Sequence, residues 1–98
     1  MTKRIGQTYL EFGVLQMIIS YSYFGVPIPS LSHEKQEVEL AIGATIDQLM
    51  DIISEGIEES SSEMLQKATF LVNKMGAKRD NVLNEGDELI ILYPIGGG

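Results

Sequence analysis

The C-terminal stretch, residues 86–98, has the sequence GDELIILYPIGGG. An acidic turn beginning at Gly86 leads into an apolar run that predicts a β-strand from Glu88 to Tyr93. Pro94 has no backbone N–H to pair with a neighbouring strand, so the strand is expected to end there. The chain then finishes on three glycines, which at average usage happens by chance in about 0.03% of chains. These features predict a strand followed by a free tail.

The chemistry of this tail suits a substrate. Glycine has no Cβ, so Gly96 and Gly97 can lie extended in a narrow channel of another protein. The carboxylate of Gly98 is then the end of a slender arm. Another enzyme can activate such a carboxylate, but the arm offers no catalytic group of its own. A frayed chain end and a remnant of cloning are the alternative interpretations of the glycines.

Four short motifs follow one another in the last part of the chain. They are Val72-Asn73, Gly86-Asp87-Glu88, Pro94 and Gly97-Gly98. With this order and spacing, the stretch from Leu71 to Gly98 resembles the ubiquitin-like sulfur carriers, and most of all the small subunit of molybdopterin synthase. The thiamine-pathway sulfur carrier is similar but commonly lacks the proline. The resemblance implies a β-grasp fold of the α+β class, in which a mixed sheet wraps around one main helix.

The resemblance also implies a role for the tail. An E1-like activating enzyme would use ATP to adenylate the carboxylate of Gly98, and sulfur would then replace AMP to leave a thiocarboxylate. The tail, with Gly96 and Gly97 as its arm, would insert into the large subunit of molybdopterin synthase and donate sulfur to a pterin precursor. The chain would bind no cofactor and would not be catalytic alone.

Partner contacts are expected around the exit of the tail. The resemblance implies that Pro94 and Ile95 fix the direction in which the tail leaves. Tyr93 is the nearest aromatic residue, and Phe70 joins it if its strand lies alongside. Apolar and aromatic residues of this kind dominate the binding energy at interface centres. The alternative for Tyr93 is that it packs in the core, since tyrosine is intermediate in burial.

Three departures from the family pattern leave the pathway open. Gly96 stands where small residues with a side chain are common, Tyr93 replaces a frequent proline, and residues 1–13 are extra. The sulfur acceptor could therefore belong to the molybdopterin, tungsten-cofactor or thiamine pathway, or to another. Two further classes of function are also open. They are a protein modifier joined to lysines through its carboxylate, and a non-covalent interaction module with incidental glycines.

Composition sets the limits of the fold. The 98 residues fit one domain with a single modest core. Residues 1–13 are expected to be a flexible extension, and residues 14–98 the β-grasp domain with its glycine tail. Cysteine is absent, which excludes disulfides, a thiolate metal site and a cysteine nucleophile in this sequence. The proposed sulfur chemistry must therefore take place on the terminal carboxylate.

Charge and hydropathy limit the partners. A net charge of −7 disfavours nucleic acid and anionic membrane surfaces and favours a basic protein partner. The apolar stretch 14–26 is too short to span a bilayer, and residues 1–13 do not form a signal peptide pattern. A cytoplasmic location is therefore expected. His33 is the single histidine, and no metal site is predicted because zinc sites need three or four ligands.

Alternating apolar and polar residues predict two strands early in the chain. From Val14 to Phe24 the odd positions are apolar or aromatic, whereas Gln16, Ser20 and Ser22 between them are polar, which predicts a strand with one buried and one solvated face. In a second strand Val38, Leu40 and Ile42 are expected to point inward. The two strands are expected to pair antiparallel across a proline-containing loop.

Two helices are predicted next. Thr45 and Gln48 fit a capping box for a helix running from Ile46 to Glu55, with its apolar side on the sheet. Ser60 is expected to cap a shorter helix that ends near Gln66.

The last part of the chain predicts two more strands. A short strand at 68–73 and a polar loop at 74–84 precede the terminal strand. Because residues 89–92 are all apolar, this strand is expected to be buried on both faces near the sheet centre. A right-handed crossover would place it parallel to the first strand.

Overall fold

The computed structural model describes the backbone of residues 8–9 and residues 15–93 in full. The predicted order of two strands, two helices and two strands is confirmed, and two short strands are added to it. The elements are β1 (Thr8–Tyr9), β2 (Leu15–Phe24), β3 (Gln36–Ala41), α1 (Ile46–Ser54), α2 (Glu59–Leu65), β4 (Thr69–Val72), β5 (Met75–Ala77) and β6 (Glu88–Leu92).

Strand β6 lies in the middle of the sheet. It pairs parallel with β2, where Leu89 is opposite Tyr21, and antiparallel with β4, where Ile91 is opposite Phe70. β3 continues the sheet beyond β2, and β5 continues it beyond β4. The predicted parallel placement of the first and last long strands is thus confirmed. With α1 packed on it, this mixed sheet has the β-grasp arrangement that the resemblance implies.

The short strand β1 falls inside the segment predicted to be an extension. Its backbone pairs antiparallel with the start of β2, where Thr8 is opposite Gln16. Gln16 is also opposite Ala41 of β3, so β1 and β3 lie on different edges of β2. The boundary of the domain at residue 13 stays a prediction.

Strand β2 follows the predicted alternation. Met17, Ile19 and Tyr23 are buried in the core. Gln16 and Ser22, expected on the solvated face, are buried as well. This part of the prediction is wrong, and both residues lie on a strand inside the sheet, where Gln16 is paired with β1 and β3 and Ser22 with β6.

The prediction that Ile42 points inward is also wrong. Strand β3 ends at Ala41, and Ile42 is 43% exposed. Gly43 follows with φ at +92°, a left-handed conformation that suits glycine. This turn directs the chain into α1 and leaves the Ile42 side chain outside the core.

The start of α1 confirms the predicted capping box. The backbone N–H of Gln48 donates to Thr45 Oγ1 at 3.2 Å, and that of Thr45 donates to Gln48 Oε1 at 2.9 Å. These bonds satisfy two of the N–H groups that a helix N-terminus leaves unpaired. The side of α1 that faces the core carries Ile46, Leu49, Met50 and Ile53.

Helix α2 begins two residues earlier than predicted. Glu58 is its N-cap residue and makes no side-chain capping bond, so the cap predicted at Ser60 is wrong. Ser61 and Leu65 of this helix are buried. Burial of one helical side therefore fixes α2 in place without a capping side chain.

A hairpin replaces the first part of the predicted loop at 74–84. Strands β4 and β5 are joined by Asn73 and Lys74, whose φ angles are 51° and 73°. Two-residue hairpin turns of the I′ type need positive φ at both positions. Such turns usually have the sequence Asn-Gly, but here lysine, which rarely adopts positive φ, stands in the place of the glycine. The sequence therefore gives no clear signal of the turn.

The burial of β6 is more one-sided than predicted. Leu89 and Ile91 are fully buried, whereas Ile90 and Leu92 are half-buried. The apolar core lies on the face that carries Leu89 and Ile91. The other face stays partly accessible, so burial on both faces is only partly correct.

Candidate functional site at the exit of the tail

Strand β6 ends at Leu92, next to the residues predicted to form the tail. Tyr93 is the last residue described, and its N–H donates to the Phe24 carbonyl at 3.0 Å. This bond is the final rung between β2 and the C-terminal strand within the described part of the chain. The predicted tail and direction-setting residues lie outside the described residues, so their roles stay predictions. They are Pro94, Ile95, Gly96, Gly97 and Gly98.

Tyr93 is half-buried and packs against the core cluster. It lies beside Tyr23, whose hydroxyl donates to the Val26 carbonyl. Burial, and to a lesser degree the neighbouring Tyr93, raise the pKa of the Tyr23 phenol above 10.0. The hydrogen bond between Tyr23 and Val26 holds the loop after β2 close to the end of β6. Tyr93 therefore combines a contact to the core with a surface at the exit.

Phe70 is placed differently from expectation. Its strand does lie alongside β6, but its ring is only 4% exposed. The Arg79 guanidinium lies 5.3 Å from the ring centroid and donates to the Leu65 carbonyl at 2.7 Å and to Asp47 Oδ1 at 2.9 Å. The expectation of an exposed interface residue is thus corrected. Phe70 supports the exit from within the core because β4 presents this position inward.

An open cleft of 440 Å³ lies beside the exit, on the loop that follows β2. Phe24 on its wall is 39% exposed, and the His33 ring stacks on it with centroids 6.3 Å apart. The cleft gives the exit an apolar and aromatic surround, as an interface centre requires. Its lining consists of Tyr23, Phe24, Gly25, Pro27, Ile28, Leu31, Ser32 and His33.

Gly25 is a residue of the exit that sequence reasoning missed. Its backbone lies directly against that of Tyr93. A glycine at the end of a strand can mark such a close approach, but it is equally common in ordinary turns. The contact partner is far away in the sequence, so no local pattern identifies it.

Two of the family-like motifs meet at the opposite end of β6. Asn73 Nδ2 donates to Asp87 Oδ1 at 2.9 Å, and the Glu88 N–H donates to Asn73 Oδ1 at 3.0 Å. The Asn84 N–H donates to Asp87 Oδ2 at 2.8 Å. These bonds fix the start of β6 to the β4–β5 turn. Asn73 and Asp87 therefore maintain the fold and do not contact the exit.

We expect Asp87→Ala to lower the free energy of unfolding by about 1–3 kcal/mol, because the Asn73 amide and the Asn84 N–H lose their acceptors. Chemical denaturation measures the loss. Asp80→Ala, at an exposed position, is the matched control for removing one acid. Equal stabilities of the two variants would show that the carboxylate of Asp87 does not hold β6.

The described residues offer little evidence for other kinds of site. Within residues 15–93, no group of three or more His, Cys, Asp or Glu side chains could hold a metal ion. Neither described helix is long and apolar enough to cross a membrane. The exit of the tail therefore remains the candidate site.

The fold and the exit define the chain as a ubiquitin-like β-grasp protein. SAMP1 from Haloferax volcanii is similar, with 19% identity and a TM-score of 0.66 over 83% of this chain and 99% of that chain. A putative molybdopterin converting factor subunit 1 from Pyrococcus furiosus has 18% identity and a TM-score of 0.60 over 81% and 99%. A chain in the complex of molybdopterin-converting factor subunits 1 and 2 from Helicobacter pylori has 24% identity and a TM-score of 0.58 over 84% and 100%. These likenesses establish the fold.

The sequence itself establishes the family. The model of the ThiS family matches residues 21–98, from the middle of β2 through the terminal glycines. The chain belongs to the ThiS family, which confirms the resemblance to the ubiquitin-like sulfur carriers. A comparison with curated proteins found no match.

Proposed function

We propose that this chain is a sulfur carrier that bears sulfur as a thiocarboxylate on Gly98. The observation that carries the proposal is the family match, because it extends to the last glycine and so includes the arm. The position of β6 supports it. This strand is anchored in the core by Leu89 and Ile91 and ends beside an open cleft, so a firm base adjoins the tail.

The chemistry proceeds in two balanced steps on an E1-like activating enzyme. A carboxylate oxygen of Gly98 attacks the α-phosphorus of ATP, which forms an acyl adenylate and releases pyrophosphate. A sulfur nucleophile at the oxidation level of sulfide then attacks the carbonyl carbon. The new C–S bond forms as the C–O bond to AMP breaks. The chain supplies only the arm and the carboxylate, so it needs no cofactor and is not catalytic alone.

The acceptor that we favour is the molybdopterin precursor. Pro94 before the tail is typical of the small subunit of molybdopterin synthase. The Helicobacter pylori chain of similar fold is in a complex with subunit 2 of molybdopterin-converting factor, which supports a large subunit as the partner of this chain. The thiocarboxylate would enter that subunit and transfer its sulfur to the pterin precursor. We place this chemistry in the cytoplasm, where ATP is available.

A protein modifier is the second candidate function. A further solved structure of similar fold, with 17% identity and a TM-score of 0.60 over 81% of this chain and 99% of that chain, is small archaeal modifier protein 1 of H. volcanii. In this function the same acyl adenylate, or a thioester formed from it, is attacked by a lysine amine. The Gly98 carbonyl carbon then forms an amide bond with the target protein, and no sulfur remains on the tail.

Intact mass spectrometry distinguishes these functions. The chain is incubated with ATP, sulfide and an activating enzyme, with and without a mixture of cellular proteins. A sulfur carrier gains the mass difference between sulfur and oxygen. A modifier gains the mass of a second protein, and only when targets are present. An unchanged mass under all conditions, with an activating enzyme that modifies its own carrier, would overturn both.

We expect Tyr93→Ala to weaken binding to both the activating enzyme and the acceptor by about tenfold, or 1.4 kcal/mol. Loss of an aromatic side chain at the base of the tail should act mainly through faster dissociation. Asp51→Ala on the exposed side of α1 is the control, because a peripheral acid should mainly affect the association rate. Both rate constants and the melting temperature are measured. A Tyr93→Ala chain that melts early but binds normally when folded would assign Tyr93 to the core.

A further inference from the structure

Gly25 occupies a place in which a side chain would collide with the base of the tail. Its φ angle is +145°, a conformation that L side chains rarely adopt. A Cβ atom built on Gly25 would lie 2.5 Å from the Tyr93 carbonyl oxygen, 3.0 Å from Tyr93 Cβ and 3.1 Å from Tyr93 N. The first distance is shorter than real Cβ contacts allow. Any other residue at this position must therefore displace either the loop or Tyr93.

The loop is held on both sides of Gly25. The Phe24 carbonyl accepts the N–H of Tyr93 at 3.0 Å, and the Val26 carbonyl accepts the hydroxyl of the buried Tyr23. Movement of Tyr93 would strain only its own bond to Phe24, whereas movement of the loop would also break the bond between Tyr23 and Val26. Pro94, which follows Tyr93 in the sequence, has no N–H with which to add a hydrogen bond to β2 beyond Tyr93. The backbone at Tyr93 is therefore the side that yields.

We propose that Gly25 is a positioning residue for activation of the tail. Its missing side chain lets the Tyr93 carbonyl lie against β2, and this contact fixes the orientation of the carbonyl from which the tail continues. The inference rests on the proposed function, since direction matters only if Gly98 must reach the active site of a partner.

The length of the arm amplifies a change at its base. When extended in a partner's channel, residues 94–98 span about 16–18 Å. A rotation of about 10° at Tyr93 then moves the carboxylate by about 3 Å. A misplacement of about 1 Å at a reacting group can reduce a rate about 100-fold. A single methyl group at position 25 can therefore affect chemistry at residue 98.

Gly43 provides a matched control for backbone strain. It also has a positive φ, +92°, but no atom lies within 4 Å of a Cβ built on it. It lies in the turn after β3, near the start of β2 and so at the end of that strand away from the tail. Alanine at either position strains the backbone, but only alanine at position 25 crowds Tyr93.

The test compares Gly25→Ala with Gly43→Ala in ATP–pyrophosphate exchange, well below the melting temperature of each. We expect kcat/KM to fall about 10–100-fold for Gly25→Ala and to stay within about twofold of wild type for Gly43→Ala. The NMR amide resonances of Gly96, Gly97 and Gly98 should shift only in Gly25→Ala. A loss of stability alone would not move these resonances in a folded chain.

Each outcome separates this inference from the proposed function. Active wild type together with an unchanged Gly25→Ala variant overturns the role of Gly25 and leaves the sulfur carrier intact. Equal losses in both glycine variants also overturn it, because strain would then be the cause. A Gly25→Ala chain that cannot fold shows that the glycine serves the fold instead. Absence of exchange by the wild type overturns the proposed function itself.

Discussion

Removal of Gly98 is expected to abolish adenylation while leaving the fold unchanged. One extended residue spans about 3.3–3.6 Å, so the deletion withdraws the carboxylate by that distance from the bound ATP. Since a misplacement of about 1 Å can cost about 100-fold in rate, the remaining activity should fall below detection. Addition of one serine after Gly98 should have the same effect, because the reacting carboxylate is then carried past its place. ATP–pyrophosphate exchange measures both variants.

A chain with one serine added before Met1 is the matched control, since it changes the length at the other end. It should exchange pyrophosphate at the wild-type rate. Thermal unfolding should be the same for all three variants, because none of them changes a side chain of the core described within residues 15–93. Normal exchange by the chain lacking Gly98, whose carboxylate on Gly97 lies one residue short, would contradict the requirement that activation takes place at the position of Gly98.

Local rules were sufficient where one segment determines its own structure. The Thr45 and Gln48 pair predicts the start of α1 correctly because a capping box involves only neighbouring residues. The alternation in β2 likewise identifies its buried side, since side chains on a strand alternate between two faces. The central position of β6 followed from its continuous apolar sequence. In each case the signal lies within a few neighbouring residues of the sequence.

Predictions failed where a turn or a distant segment decides the outcome. Ile42 continues the alternation of β3 in sequence, yet the turn at Gly43 removes it from the sheet. The turn at Asn73 and Lys74 is stabilised by Asp87 and Glu88, which follow much later in the chain. A local pattern contains no information on such a partner. The β4–β5 hairpin was missed for this reason.

The candidate site shows the same division. The glycine tail and Pro94 are visible in the sequence because their chemistry is local. The contact between Gly25 and Tyr93 arises only after β2 and β6 pair in parallel. The family-like motif around Asp87 indicated the family, but its physical role in holding the start of β6 required the structure. The motif therefore identifies the family, whereas the hydrogen bonds of Asp87 show what the residue does in the fold.

Ile91→Ala is expected to reduce the free energy of unfolding by about 2–5 kcal/mol, the usual cost of truncating a fully buried isoleucine. Ile91 is 0% exposed and lies between β2 and β4, opposite Tyr23 and Phe70. The cavity would thus open directly behind the exit of the tail. Domains of this size have about 5–15 kcal/mol of stability in total, and each kcal/mol corresponds to about 4–8 °C in Tm.

The matched control for this variant is Ile52→Ala, which removes the same atoms from a side chain that is 50% exposed on α1. Its stability should change by no more than about 0.5 kcal/mol, because half of this side chain already faces water. Denaturant unfolding of both variants gives the difference directly. A loss below about 1 kcal/mol for Ile91→Ala would mean that β6 does not anchor the core. The tail would then lack the rigid base from which Gly98 reaches its partners, and the positioning ascribed to Gly25 would have no support.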